Sequence, residues 1–318
     1  MNYLAPYWLP GGHLQTIYPA LYIRKPEVPF RRERWMTPDS DFIDVDFIDG
    51  DAGKPFVVLF HGLEGSSDSH YARALMDVVH SKGWSGAVPH FRGCSGELNR
   101  APRFYHSGDA QEIDWIVQKL QSNYRATNPG GKFFACGVSL GGNALLRWLG
   151  EAQQQSHIVD AACAISAPLD LAAGGASLSS GVNLLYTRMF LQTLKPKCLK
   201  KLQQFPNLFD RDALLQAKNL YEFDNIITAP LHGYRNTDDY WHRASAKHVL
   251  KDISVTTLVL NAQNDPFLPG QHLPRKASSH VTLDYPQHGG HVGFAVGALP
   301  GSLDWLPRKI LHFFDGKY

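Results

Sequence analysis

No window of this 318-residue sequence approaches the ~18 consecutive apolar residues that a membrane-spanning helix requires, and that excludes a spanning helix. Charge of one sign is missing too. Thirty-one Lys and Arg stand against 29 Asp and Glu for a net charge of +2, with no long basic or acidic run. Nothing in that balance calls for nucleic acid or an acidic membrane surface as a partner. Cysteine is scarce: Cys94, Cys136, Cys163 and Cys198 are scattered, two of them inside apolar strand-like runs, and no Cys/His spacing suits zinc. They read as buried thiols in a reducing compartment. The opening MNYLAPYWLPGGHLQTIY lacks a basic n-region and is broken by Pro and Gly, so it does not read as a secretory leader. The expected location is the cytoplasm. Internal repeats and low-complexity linkers are absent as well.

What is present describes an ordinary globular protein. Hydrophobic residues make up 44% and charged residues 19%, and the length suffices for one large α/β domain with a sizeable core. The stretch that organises the rest is Phe133 to Arg147. Phe133 to Val138 is a short apolar run that reads as a buried strand. Gly137-Val138-Ser139-Leu140-Gly141, a G-x-S-x-G pentapeptide, follows, and then Asn143 to Leu149, a good helix former. Strand, tight turn and helix are the context that gives this pentapeptide meaning. A Ser at the apex of such a turn is strained, the flanking glycines let strand and helix approach, and the Leu140 N–H is left free to face a developing oxyanion.

Along the chain, residues 1–30 are rich in Pro, Gly and aromatics without periodicity and read as an ordered extension packed on the body. Tyr7, Trp8, Leu9 and Tyr18 there also leave room for an interaction patch, including peripheral membrane contact. Arg31 to Met36 and Asp41 to Phe47 read as two edge strands, and Pro55 to Phe60 as a central parallel strand. Expected next are a helix from about Asp68 to Lys82, a strand Trp84 to Val88, and a helix near Asp109 with a capping-box-like start through Glu112. The nucleophile strand and helix follow, then a strand Asp160 to Ile165. Strands alternating with helices imply a mostly parallel, doubly wound α/β sheet. The alternation breaks after Pro168: residues 169–245 hold amphipathic segments and no convincing strand, a helical cap inserted into a single domain spanning 1–318. Alternation resumes with a strand Val255 to Leu260, a helix near 270–278, a strand His280 to Tyr285 and a closing helix Ser302 to Phe314.

A serine hydroxyl needs an adjacent base, usually His, oriented in turn by a carboxylate. In an open parallel sheet all three sit just past the carboxyl ends of strands. The Val255–Leu260 strand runs into Asn264-Asp265-Pro266-Phe267, where Pro266 biases Asp265 away from helix. The last strand runs into His288-Gly289-Gly290-His291-Val292-Gly293-Phe294. Ser139, Asp265, His291 is the chain order expected of an α/β-hydrolase arrangement. Asp265 alone is also a plain Asx turn. His288 competes with His291 as base, and the glycines before His291 favour the latter. As a metal pair the two histidines lack a helix and a third ligand. Asp238 and Asp239 are alternative carboxylates, but no strand places them, and they fit better at the start of the following helix. The second oxyanion donor is expected from His61-Gly62-Leu63, as the Leu63 N–H. Ser66, Ser95 and Ser107 lack the flanking glycine pair and read as loop caps, and Cys94 and Cys136 as inert thiols.

Six ordered segments carry a resemblance over nearly the whole chain: Trp8 to Thr16, His61 to Gly65, Phe91 to Gly96, Gly137 to Asn143, Asn264 to Phe267 and His288 to Phe294. Together they resemble the YheT-type branch of the α/β-hydrolase superfamily, which has bacterial members assigned as esterases and is similar to eukaryotic α/β-hydrolase-domain lipases and medium-chain ester synthase/esterases. The resemblance implies Ser139 as nucleophile, Asp265 as acid and His291 as base. Asn264 stands where relatives often have a second Asp, leaving Asp265 as the only carboxylate of that loop, and Thr256 where the pattern usually has Pro. The expected function is serine carboxylester hydrolysis of a small-molecule acyl ester of short to medium chain, without cofactor or metal. The same serine chemistry also serves acyl transfer, ester synthesis or thioester hydrolysis, and a hydrolase scaffold can host a non-catalytic binding module.

Overall fold

The continuous apolar runs form the middle of one sheet, because a strand buried on both faces has no room for polar alternation. In the computed structural model, which describes residues 1–316, eight strands lie in the order β1-β2-β4-β3-β5-β6-β7-β8. In chain order the elements begin with α1 (Gly12–Leu21), β1 (Arg31–Met36), β2 (Phe42–Ile48), β3 (Phe56–Phe60), α2 (His70–Ser81) and β4 (Ser85–Pro89). Then come α3 (Ala110–Thr127), β5 (Phe133–Val138), α4 (Leu140–Ala152) and β6 (Ala161–Ile165). Between β6 and the next strand the named elements are helical: α5 (Leu171–Leu178), α6 (Leu184–Gln204), α7 (Arg211–Gln216), α8 (Leu220–Phe223), α9 (Ala229–Leu231) and α10 (Thr237–Ala244). The chain closes with β7 (Thr257–Leu260), β8 (Val281–Asp284) and α11 (Trp305–Phe314).

Pairing is antiparallel from β1 through β2 to β4 and parallel from β4 to β8. Strand register brings Phe60 opposite Gly137, Val138 opposite Ile165, and Ile165 opposite Leu260, so the carboxyl ends of the central strands form one rim. Alternate residues feed two cores. Val58, Phe60, Phe133 and Ala135 pack with Ile113, Ile116 and Val117 of α3 and Leu145 and Leu149 of α4. Val57, Leu59, Phe134 and Cys136 face Leu75 and Met76 of α2 and Ile310 and Phe314 of α11 on the other side. Burying this much aliphatic surface, at ~25 cal/mol per Å², is the main source of fold stability.

Four expectations need correction. The segment 42–48 is not an edge: β2 lies between β1 and β4, and of the two strands only β1 is at an edge of the sheet. Its apolar alternation runs through Ile43, Val45 and Phe47, while Asp44 and Asp46 are buried and accept from Arg34 and Arg32 directly across in β1. The helix expected at 270–278 is only a short 3-10 turn, Gly270–His272. Pro274 forbids helical backbone at Leu273, which sits extended at φ −71°, ψ 132°. No capping box opens α3: Asp109 makes no side-chain cap bond. Its carboxylate takes Arg103 instead, and that of Glu112 takes Arg92. Finally, the N-terminal extension contains a helix, α1, whose buried residues are Gln15, Thr16 and Pro19.

Candidate active site

The glycines of the pentapeptide are dictated by contact. A Cβ on Gly137 would lie 2.5 Å from the Gly141 carbonyl oxygen, and one on Gly141 would lie 2.5 Å from the carbonyl oxygens of Phe60 and His61. With strand, helix and neighbouring strand that close, Ser139 is forced to φ 52°, ψ −122°, a conformation that non-glycine residues rarely adopt. Its N–H donates to the Ile165 carbonyl at 2.8 Å, which pins the turn to β6.

The three side chains singled out from the sequence meet at the rim. His291 Nε2 lies 3.0 Å from Ser139 Oγ, and His291 Nδ1 lies 2.8 Å from Asp265 Oδ2. Asp265 is 2% exposed, and its other oxygen accepts the Phe267 N–H at 2.8 Å. A carboxylate on Nδ1 fixes the tautomer: Nδ1 carries the proton and Nε2 is free to accept from the serine hydroxyl. Four competitors stay apart from this relay. His288 is exposed, and its Nδ1 lies 3.4 Å from the Asn264 amide nitrogen. Asp238 and Asp239 sit in the first turn of α10, which is capped by Asn236. The Ser95 hydroxyl donates to Asp44 at 2.6 Å.

Leu63 and Leu140 line the same cavity as Ser139 and His291. A Cβ on Gly62 would lie 3.1 Å from Ser139 Cβ, so the loop after β3 abuts the serine. The Gly62 carbonyl accepts from the Gly65 N–H at 3.0 Å and from His61 Nδ1 at 2.8 Å. The Gly62 carbonyl and the Leu63 N–H belong to one planar trans peptide and point oppositely, so pinning the first turns the second the other way. His61 is fully buried, its Nε2 accepts the Phe91 N–H at 3.0 Å, and burial lowers its pKa to about 3. It therefore stays neutral with its proton on Nδ1. Among the described residues no loop acceptor takes the N–H of Leu63 or of Leu140.

Several residues that hold the site carry no motif of their own. Asn143 donates to the carbonyls of Ser107 and Ala244 at 2.8 Å each and accepts from the Ala246 N–H, tying α4 to the end of α10. Ser166 Oγ accepts the Val292 N–H at 3.1 Å, and His70 Nε2 donates to the Val292 carbonyl at the same distance. Burial lowers the His70 pKa to about 4, which leaves a neutral ring. Gln15 and Thr16 reach the same loop from α1.

The cavity around these groups measures about 1150 Å³ with its open mouth. Leu171, Leu178, Phe190, Leu194, Phe223 and Ile227, all between β6 and β7, make its far wall apolar. An ion pair interrupts the wall: Lys197 Nζ lies 2.8 Å from Glu64 Oε2. Burial raises the Cys94 thiol nearby to about 12, so it stays protonated. Among the described residues no group of three or more His, Cys, Asp or Glu is placed to hold a metal ion, and no helix is long and apolar enough to cross a membrane.

The sequence pattern of the family described as alpha/beta hydrolase fold matches residues 55–298. The chain belongs to the α/β-hydrolase family. It is 38% identical to the YheT protein of Escherichia coli (strain K12), over 94% of this chain and 88% of that one. To phospholipase ABHD3 of Mus musculus it is 30% identical, over 98% of this chain and 78% of the relative. Among solved structures it is similar to the Pyrococcus furiosus esterase Pf2001, with a TM-score of 0.58 and 14% identity over 92% of this chain and 97% of that one. At that identity the likeness concerns the fold alone. In this α/β hydrolase, α1, which contacts the loops of the site, lies ahead of the matched region.

Proposed function

We propose that this α/β hydrolase is a serine carboxylesterase acting on short- to medium-chain esters, with Ser139 as nucleophile, His291 as general base and Asp265 as its orienting carboxylate. The observation that carries the reading is the unbroken relay of 3.0 Å from Ser139 Oγ to His291 Nε2 and 2.8 Å from Nδ1 to Asp265, built on a strained serine. Ser139 Oγ attacks the ester carbonyl carbon as its proton passes to Nε2. The negative oxygen of the tetrahedral adduct is held by the Leu63 and Leu140 N–H groups. Collapse breaks the C–O bond to the alcohol, which leaves with the proton from Nε2. Water then gives a proton to His291 and attacks the acyl-enzyme; the acid departs and the proton returns to Ser139. Asp265 stays ionised throughout and stabilises the imidazolium between steps.

The helical stretch between β6 and β7 acts as a cap over this site. Its apolar wall suits an acyl chain, because an uncharged chain loses little on leaving water and gains about 0.8 kcal/mol per buried CH₂. The relatives named as a phospholipase and as a monoacylglycerol lipase are consistent with ester cleavage. The test is a p-nitrophenyl ester series from acetate upward on wild type and Ser139→Ala. Turnover that peaks at short to medium chains and vanishes in the variant supports the proposal. Wild-type rates in Ser139→Ala would refute it. Added ethanol or an acyl thioester in the same assay separates hydrolysis from transfer, through the products formed.

A further inference from the structure

The buried face of α1 is polar. Gln15 is 1% and Thr16 8% exposed, and with Pro19 they are the only buried residues of the helix. A helix that packs through an amide and a hydroxyl contributes little apolar burial, so its value lies in the geometry it imposes. Both side chains are fully committed. Gln15 Oε1 accepts from Asn264 Nδ2 and from the Gly289 N–H, each at 2.9 Å, while Nε2 donates to the Leu9 carbonyl at 2.8 Å. Thr16 Oγ1 accepts the His291 N–H at 2.8 Å and donates to the Gly12 carbonyl at 2.7 Å. Asn264 closes the circuit, because its Oδ1 accepts the Gly290 N–H at 3.0 Å.

These partners flank the relay. Asn264 precedes Asp265, and Gly289 and Gly290 precede His291. Backbones meet as closely as side chains do: a Cβ on Gly12 would lie 1.9 Å from the Asn264 carbonyl oxygen, and one on Gly293 would lie 1.7 Å from that of Gln15. The His291 loop needs such external support. Val292 and Phe294 sit at φ 61° and 43°, left-handed conformations that side chains resist.

We propose that α1 is a brace in which Gln15 and Thr16 are positioning residues: they set the Asp265 loop and the His291 loop in register, and through them the contacts to Ser139. The inference rests on the catalytic roles proposed above. Neither residue touches the reacting atoms; each acts through the backbone of a loop that does. Asn264 is part of the device, since its amide both donates to Gln15 and accepts from Gly290.

The test uses the full-length protein and reads kcat per active site, titrated with a fluorophosphonate, on a p-nitrophenyl ester. Thr16→Val removes the hydroxyl with almost no change of shape, Thr16→Ser keeps it, and Gln15→Ala and Asn264→Ala break the link between the loops. The brace predicts that Thr16→Val, Gln15→Ala and Asn264→Ala each lower kcat per titrated site by about tenfold or more, with KM within about twofold. Thr16→Ser is expected to recover most of the Thr16→Val loss. A merely structural role would lower Tm and the titrated fraction and leave kcat per site unchanged, and that result overturns the inference. Should Gln15→Ala or Asn264→Ala not fold, the contrast of Thr16→Val with Thr16→Ser decides it alone. Turnover that survives Ser139→Ala would instead remove the proposed function, and the brace with it.

Discussion

The Phe267 ring lies flat against the imidazole of His291, with ring centroids 4.0 Å apart and planes 19° from parallel. The loop that supplies the carboxylate to Nδ1 thus also supplies a surface to the ring face. Tyr186 of α6 backs Phe267 at 4.8 Å, so the contact extends into the helical stretch between β6 and β7.

An aromatic face also favours the imidazolium that forms during turnover, by about 0.5–1 kcal/mol. Phe267→Leu is therefore expected to lower kcat roughly two- to fivefold, and Phe267→Tyr to change it less. Steady-state kinetics on one ester check this. A change confined to KM would reduce Phe267 to a piece of cavity wall.

The ion pair in the apolar wall gives a second prediction. Glu64 is held by Lys197 on α6 and by Tyr105, whose hydroxyl accepts the Glu64 N–H at 2.8 Å and donates to Oε1 at 3.0 Å. Removing one partner leaves an unmatched charge beside the substrate, whereas removing both restores a neutral wall. Lys197→Met is expected to lower kcat/KM on apolar esters, and the double substitution Glu64→Gln with Lys197→Met to recover part of the loss. A double-mutant cycle should yield a coupling of about 1 kcal/mol or more. Additive effects would mean the pair does not bear on catalysis.

Acid stability follows from buried histidines. Burial holds the pKa of His61 at about 3, His70 at about 4 and His106 at about 3, against 6.5 in the unfolded chain. Below pH 6.5 the unfolded chain binds protons that the folded chain refuses, so stability is lost as pH falls toward those values. Two buried carboxyls act in the opposite sense. Burial pushes Asp224 up to about 6 and raises Glu112 as well, and both stabilise the fold increasingly on acidification until the unfolded carboxyls are protonated too. Near pH 4 that offset is complete, while the unfolded chain begins to bind protons at Asp39, Asp41 and Asp44, which the fold holds ionised, below the usual carboxylate range, by hydrogen bonds and arginines. Tm is expected to decline gently from pH 6.5 to 4.5 and steeply below pH 4. Calorimetry across that range checks it, and a Tm that rises between pH 4 and 3 would contradict it.

Much of the fold was legible because local sequence and tertiary role agree. The strands at Phe56–Phe60 and Phe133–Val138 are buried on both faces, and their apolar runs say so. The arrangement of the candidate site was legible because Gly137, Gly141, Pro266 and Gly290 are backbone requirements written as residue types. Legibility fails where polar residues do the packing. Nothing local distinguishes Gln15 and Thr16 from a polar surface, since their partners lie some 250 or more positions later, at Asn264, Gly289 and His291. Asp44 and Asp46 disguised an internal strand because their arginines come from β1. Asp109 and Glu112 have the spacing of a capping box, but Arg103 and Arg92 claim both carboxylates.

The central claim is that Ser139 is a nucleophile activated by His291. Labelling the native protein with a fluorophosphonate and locating the adduct by mass spectrometry, in wild type and in His291→Ala, tests it most directly. The account predicts a single adduct on Ser139 in wild type, lost or slowed by orders of magnitude in the variant. An unlabelled but folded wild type, or an adduct on another serine, would contradict it.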